Sequence, residues 1–542
     1  VRAALCAVVG LALGCNAILG ITDTTYRADA GAPGHAGSAA TLSSSETASP
    51  CTTNGECLDR SGEFDPSVCV AGQCVALLTP ECPLALPQTE RLWLENLRHS
   101  EPDPVIFGAF AAVPPSLVGM DARNYDLVIT EVTHAVGGLP TADGKRRPVL
   151  AVVCRNQDYA TPDGLDRAID HLTNDLQVPG ILAGLEAHDL EYAFERQGLA
   201  HHVFFLSPYD ADRALVDLVD DGLVWEMLSG GEQLAPTYGP LLDRALAALR
   251  SSGRLGKDES ARVALVTTED VSALAAISDA LTTGGVLQFN GHSAPDNSPN
   301  YFRAVSVASS ALASQTPDYT DAIQLLLGFA PHVVIAEATD EFLTTIMPAV
   351  EAEVPDLSPF YLLSPWHCQK DRMDALLTRL PAVQSRLAGV NYAGAADSTL
   401  YDEYQARFDA AFPTYAGTRG YENFYDAGYY LIYAAVGAGT VTPLMGSDLV
   451  NGMRRLLSGR LTFGVGPDDL LPAFMELQTS GTSIVLNGAM GPPNFDPRTG
   501  ARDEPGSVWC VDADHTLQTD VLRLDAAGDL TGNFPCFDFP AP

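Results

Sequence analysis

Between Arg123 and Asn156 the spacing of apolar positions changes once. Tyr125, Val128, Ile129, Val132 and Val136 fall at offsets of 0, 3, 4, 7 and 11, which is one face of an α-helix. Gly137 and Gly138 follow at once, and glycine ends helices in a left-handed cap. Val149 to Cys154 is then a continuous apolar run. A strand covered on both faces needs that pattern, and a parallel sheet flanked by helices supplies the cover. The stretch therefore predicts a helix, a glycine turn and a buried strand in an α/β layer.

The same rhythm continues from Pro104 onward. A first strand is expected over 105–110. Leu165, Ala168, Ile169, Leu172 and Leu176 repeat the helical spacing. Strands are expected at 181–183 and 203–206, with a long helix over 241–250. A second series has strands at 263–267, 286–289, 332–337 and 360–363, separated by helices at 271–281, 319–329 and 341–353. Such alternation makes parallel sheets. The strands are too many for one comfortable sheet, so two are expected.

The residues before Pro104 have a different character. Residues 1–14 are apolar with a single cation, Arg2, and read as the hydrophobic core of an export signal. Leu13-Gly14-Cys15 resembles a lipoprotein cleavage box, with Ala12 where the box usually has Leu. The resemblance implies cleavage before Cys15 and lipidation of its thiol. The plain alternative is an ordinary signal with a chance cysteine. Residues 15–50 are rich in Ala, Gly, Ser, Thr and Pro and read as a flexible tether, with a reach of roughly 30 Å. Cys51, Cys57, Cys69, Cys74 and Cys82 then crowd together within 51–82. Zinc needs short ligand spacings, and only Cys69 to Cys74 comes close. An exported chain meets oxidising conditions, so disulfides are expected. Cys51 with Cys69 and Cys57 with Cys74 is one of three pairings that four cysteines allow. Cys510 can pair with Cys536 and Cys82 with Cys154, which leaves Cys368 over among the nine cysteines that follow Cys15.

Three stretches carry a family resemblance. "VITEVTHAVGGLP…RRPVLAVVCRN" is similar to the helix, Gly-Gly, strand signature of type I periplasmic binding proteins, the branched-chain amino-acid receptors of ABC importers. "YENFYDAGYYLIYAAVGAG" (421–439) resembles that family's "YDA" helix. "GAMGPPNFDPRTGARDEPGSVWCV" resembles its closing hairpin and last strand. The resemblance runs from about Val105 to Thr519. It implies two doubly wound parallel-sheet lobes joined by three hinge crossings, near Gly230, Leu363 and Pro497. Lobe 1 would comprise 104–230 and 364–497, and lobe 2 231–363 and 498–542.

In open α/β sheets ligands sit beyond the carboxyl ends of the strands. Two such sheets face to face leave a cleft, and a ligand held by both favours the closed form. The candidate lining from the first lobe is Phe110, Glu186, His188, Ser207, Tyr209 and Asp210. From the second come Glu269 and Thr339, with Thr268, Asp270, Glu337 and Asp340 nearby. Trp366, flanked by Ser364 and His367, sits by a crossing. Each has a plain alternative as a cap, a turn or a solvated loop end. Aliphatic amino-acid receptors carry Gly-x-x-x-Ser after the third strand and hydroxyls after the fourth. Here those stretches read Gly184-Leu-Glu-Ala-His188 and Ser207-Pro-Tyr-Asp-Ala211. The exchange implies either a more polar or cationic ligand or a pocket that has lost binding.

The formal net charge of −37 argues against nucleic acid and anionic membrane surfaces as partners. No Gly-x-Ser-x-Gly elbow, Walker A loop or dinucleotide loop occurs. No metal-ligand spacing occurs either, so neither an enzyme nor a cofactor is expected. The expected function is capture of a small polar, amino-acid-like solute by a lipid-anchored protein of the cell envelope, for delivery to an ABC permease. The competing expectation is a receptor or scaffold lipoprotein of the same fold.

Overall fold

The chain is described here by a computed structural model. The described residues are 50–62, 65–99, 103–113, 119–157, 163–208, 212–269, 271–283, 285–309, 317–353, 358–392, 399–418, 420–525 and 527–536. The export signal, Cys15 and most of the tether lie outside them, as do Tyr209, Asp210 and Asp270. No helix among the described residues is long and apolar enough to cross a membrane.

Two sheets organise the fold. The first contains Leu84–Leu86 (β1), Val105–Ala111 (β2), Val149–Arg155 (β3), Gly180–Ala183 (β4), Phe204–Ser207 (β5) and Val224–Glu226 (β6), in the order β6-β5-β4-β2-β3-β1. All neighbours run parallel except β1, which pairs antiparallel with β3. The second contains Val263–Thr268 (β7), Phe302–Val307 (β8), Val333–Glu337 (β9), Phe360–Leu363 (β10), Leu387–Asn391 (β11), Ser507–Val511 (β12), Leu517–Leu524 (β13) and Leu530–Gly532 (β14). Its order is β8-β7-β9-β10-β11-β12-β13-β14, parallel as far as β11 and antiparallel beyond. The architecture is the α/β one expected, with two mostly parallel sheets.

The helices lie as the apolar spacing requires. Met120–Val136 (α1) ends at Gly137, whose φ of 74° is left-handed and whose N–H reaches the Thr133 carbonyl at 3.0 Å. Gly231–Ser251 (α2) begins ten residues before the expected helix, although Pro236 and Pro240 lie inside it. Each proline removes one backbone donor. Burial of Leu234, Ala235, Tyr238, Leu241 and Leu242 along one face offsets that loss. Ser272–Thr283 (α3), Lys370–Arg379 (α4), Thr399–Ala411 (α5), Glu422–Gly437 (α6), Gly446–Arg454 (α7) and Pro467–Gln478 (α8) complete the helices used below.

Each sheet has its own core. One buried cluster covers both faces of the first sheet and includes Met227 and Phe495. On the second sheet, Val333 and Ile335 enter one cluster with α2, while Val334 and Ala336 enter another on the opposite face. That alternation is the two-residue period of a strand. Extensive packing between elements stays within each body.

Two sequence expectations need correction. The strand expected at 286–289 belongs to neither sheet. Gln288–Phe289 instead pairs with His292–Ser293 as a short hairpin across Asn290 and Gly291, both at positive φ. Asn-Gly is the preferred turn for such a hairpin. The sheet edge is taken by β8. The second passage between bodies follows Asn391 and not Leu363, because β11 pairs with β10 and β12. Leu387-Ala-Gly-Val-Asn391 is a faint strand signal for a physical reason. A Cβ on Gly389 would stand 2.4 Å from the Trp509 ring.

The cysteine-rich segment is fixed to the first body. Disulfides join Cys51 to Cys69 and Cys57 to Cys74, each tying the chain before it to one strand of a small hairpin of Ser67–Val70 and Gln73–Ala76. Cys82 bonds to Cys154 on β3, and Cys510 to Cys536 in the second body. Cys368 is free. The sulfurs of Cys51, Cys57 and Cys74 lie within 4.8 Å of one another, but all three are in disulfides and offer no thiolate to a metal.

Candidate functional site

The carboxyl ends of the parallel strands are where side chains from both sheets become available for a ligand. In the first body this end is built around β2, β4 and β5. Phe110 is fully buried near the end of β2. Gly184, just past β4, lies so close to β2 that a Cβ would meet the Phe110 carbonyl oxygen at 2.5 Å. Phe424, in the first turn of α6, packs beside the same glycine, its ring tilted against Tyr125 with centroids 6.0 Å apart. Asn423 donates to the Pro208 carbonyl at 2.6 Å, which holds the start of α6 over the exit of β5. Ser207, the last residue of β5, is fully buried. Asp121 opens α1 there and accepts the N–H groups of Ala112 and Ala122 at 2.6 and 2.8 Å. Burial nevertheless pushes its carboxyl up to about 6.

Glu186 and His188 stand exposed at the start of the helix Ala187–Ala193. They are not gathered with Phe110 and Ser207 in one buried cluster. Glu269 is likewise exposed, just past β7.

The second body gathers its candidates more tightly. Trp366 donates its indole N–H to Asp340 Oδ1 at 3.2 Å. Arg372, on α4, meets the same oxygen at 2.9 Å and lies 5.2 Å over the Trp366 ring. Arg372 also donates to the Trp366 carbonyl. Thr339 is buried, takes a bond from its N–H to Thr268 Oγ1 at 3.2 Å, and donates its hydroxyl to Glu341. Burial raises the Asp340 carboxyl, opposed by the Arg372 charge and the indole bond. The result is a half-buried guanidinium, an indole plane and a carboxylate held in one orientation.

His367 is not a ligand group of this cluster. It is fully buried between Ser364 Oγ at 3.2 Å and the Thr339 carbonyl at 3.3 Å. Burial, then the Arg372 charge, pushes it down to about 3, so the ring is neutral and structural. Glu337, the last residue of β9, is fully buried with its Oε1 accepting from Tyr238. Its Oε2 has no hydrogen-bond partner. Burial pushes this carboxyl up to about 8.

The two ends approach one another. Burial raises the Cys368 thiol well above its ordinary range, and the charges of Asp520 and Glu422 raise it further. Glu422 opens α6 in the first body, whereas Cys368 follows β10 in the second. A separate pocket of about 200 Å³ lies at the other end of the first sheet, beside Val105, Leu139, Arg147 and Gly439.

Sequence reasoning missed Arg372, Asn423 and Phe424. Arg372 sits in the polar first turn of α4, and nothing in "QKDRMD" marks it apart from a solvated helix start. Phe424 was visible within the "YENFYDA" stretch, but only as part of a helix.

No protein-family model matches the chain, and no curated protein matches it. Solved structures do resemble it. One is a solute-binding protein of an ABC transporter from Rhodopseudomonas palustris, in complex with 3,4-dihydroxybenzoic acid. It is 14% identical, with a TM-score of 0.51, over 81% of this chain and 99% of that one. Another is the branched-chain amino-acid transporter substrate-binding protein LivJ of Streptococcus pneumoniae, in complex with isoleucine. It is 11% identical, with a TM-score of 0.51, over 78% of this chain and 99% of that one. At such identity the likeness is one of fold: the chain has the architecture of type I periplasmic binding proteins.

Proposed function

We propose that the protein captures a small polar, amino-acid-like solute between its two bodies and presents it to a membrane permease of the ABC class. The observation that carries this reading is the pair of separately cored sheets between which the chain crosses. Bodies with independent cores can change their separation without breaking either core. The Asp340, Trp366 and Arg372 cluster supplies the polar contacts from the second body. Arg372 and Trp366 offer a planar, charged platform, and Asp340 an acceptor for an ammonium group. Ser207 and the first turn of α6 stand at the corresponding end of the first body. A lipid anchor at Cys15 and the tether behind it would hold the protein at an envelope membrane.

A second reading is favoured by the burial of Phe110, Ser207 and Thr339, which leaves these three with little surface for a ligand. On that reading the fold serves as a receptor or scaffold in the envelope, without a solute. A thermal-shift screen separates the two, because a ligand that binds only the folded form raises its melting temperature. The screen would contain amino acids, amides, polyamines and aromatic acids. A hit is expected, and Trp366→Ala should weaken it about tenfold, or roughly 1.4 kcal/mol. A flat response across the whole library would favour the scaffold.

A further inference from the structure

The third crossing carries a feature that solute capture does not explain. Arg502 lies on this crossing, between Phe495 in the first core and Val508 in the second. Its backbone bridges to Ser229 on the first crossing and to Phe495, so it ties two of the three crossings together. Its side chain is only 1% exposed. The guanidinium reaches into the first body, 5.6 Å over the Phe495 ring. It donates to the Pro492 carbonyl at 3.1 Å and, more weakly, to the Met490 carbonyl at 3.4 Å. Nε and one terminal nitrogen have no partner. A buried guanidinium with unpaired donors carries a desolvation cost that a nearby anion would offset.

The same turn is gripped from its other side. Asp426, fully buried on α6, accepts the N–H groups of Ala489 and Met490, both at 2.8 Å. A Cβ at Gly488 would stand 2.1 Å from Asp426 Oδ2, so only glycine lets the turn come this close. Met490 is thus shared, its N–H bound to Asp426 and its carbonyl to Arg502. We propose that Asp426, the turn 488–492 and Arg502 form a clasp that fixes the angle of the third crossing, and hence the separation of the two bodies, according to the charge on Asp426.

The charges around the clasp make this selective. Burial raises the Asp426 carboxyl to about 7; its two backbone bonds and Arg502 lower it, and Glu422 raises it. Tyr404 and Tyr430 also feel its charge, and both remain protonated because burial raises them. With Asp426 ionised, both N–H bonds are charge-assisted and Arg502 has an anion within the same buried region. With Asp426 neutral, both contributions weaken and the crossing loosens.

The test needs no ligand, so it is independent of solute capture. Spin labels placed on the full chain at Leu199→Cys in the first body and Leu325→Cys in the second, with Cys6→Ser, Cys15→Ser and Cys368→Ser, report the distance between the bodies. Both label positions are exposed. A narrow distance distribution is expected at pH 8.5 and a broader or displaced one at pH 5.5. Asp426→Asn should give the low-pH distribution at both values. Arg502→Lys, which keeps the charge but not the planar fork, should lose most of the pH response. Circular dichroism checks that each variant is folded. A distribution that ignores pH, or a pH response that persists in folded Asp426→Asn or in Arg502→Lys, would overturn the clasp.

Discussion

Three aspartates of the first body and Glu337 of the second are buried in different ways. In the first, Asp121, Asp126 and Asp426 each receive backbone N–H groups: Ala112 and Ala122, Gln88, and Ala489 and Met490 respectively. Their carboxyls are pushed up only to about 6, 6 and 7. In the second body, Glu337 is as deeply buried but receives a single phenol, and it is pushed up to about 8. Desolvation favours the neutral acid in both bodies, while N–H donors favour the anion. These three aspartates therefore brace loops and turns, whereas Glu337 behaves as a neutral polar plug at the end of a central strand.

The sharpest way to test that contrast is to neutralise both kinds of acid. All four carboxyls have raised folded values, so the stability they contribute is fully present below their unfolded values and is lost as pH rises through the folded ones. For Glu337 the window runs from 4.5 to about 8. At about 1.4 kcal/mol for each pH unit, its ionisation costs roughly 5 kcal/mol between pH 4 and pH 9. Glu337→Gln should remove that slope, so the variant is more stable than the parent in alkaline urea unfolding and about equal at pH 4. Asp121→Asn should act in the opposite sense. One amide nitrogen would then face a backbone N–H, and stability should fall by about 2 kcal/mol at about pH 4, where no ionisation cost offsets the loss. If both substitutions stabilise, or both destabilise, the contrast between the bodies fails.

Much of the scaffold was legible along the chain. The 0, 3, 4, 7, 11 spacing of α1, the left-handed Gly137 and the apolar run of β3 each obey a local rule, and each appears where the sequence indicates. The misplaced features are those that local rules cannot see. Leu387–Asn391 is a strand because Trp509, more than a hundred residues away, fills the space beside Gly389. The hairpin at Asn290-Gly291 overrode an apolar run because turn chemistry acts over two residues and sheet pairing over many. The site was legible only in part. Thr339, Asp340 and Trp366 were expected from strand ends and a crossing, but Arg372, which contacts Asp340 and Trp366, arrives from a helix start with an ordinary polar sequence. Side chains that meet only through tertiary packing leave no period to read.

The smallest change probes the one bond that Glu337 does have. Tyr238 donates to Glu337 Oε1 and lies 3.4 Å from the Leu363 carbonyl. Tyr238→Phe removes this donor while leaving the ring in the core, so the loss should be about 1 kcal/mol at pH 5. The bond to Tyr238 is what lowers the Glu337 carboxyl against burial, so its removal should also move the Glu337 midpoint upward. The slope of stability against pH would then extend further into the alkaline range. A midpoint that stays put in the Phe variant would mean that an unseen donor holds the anion. Glu337 would then resemble the braced acids of the first body.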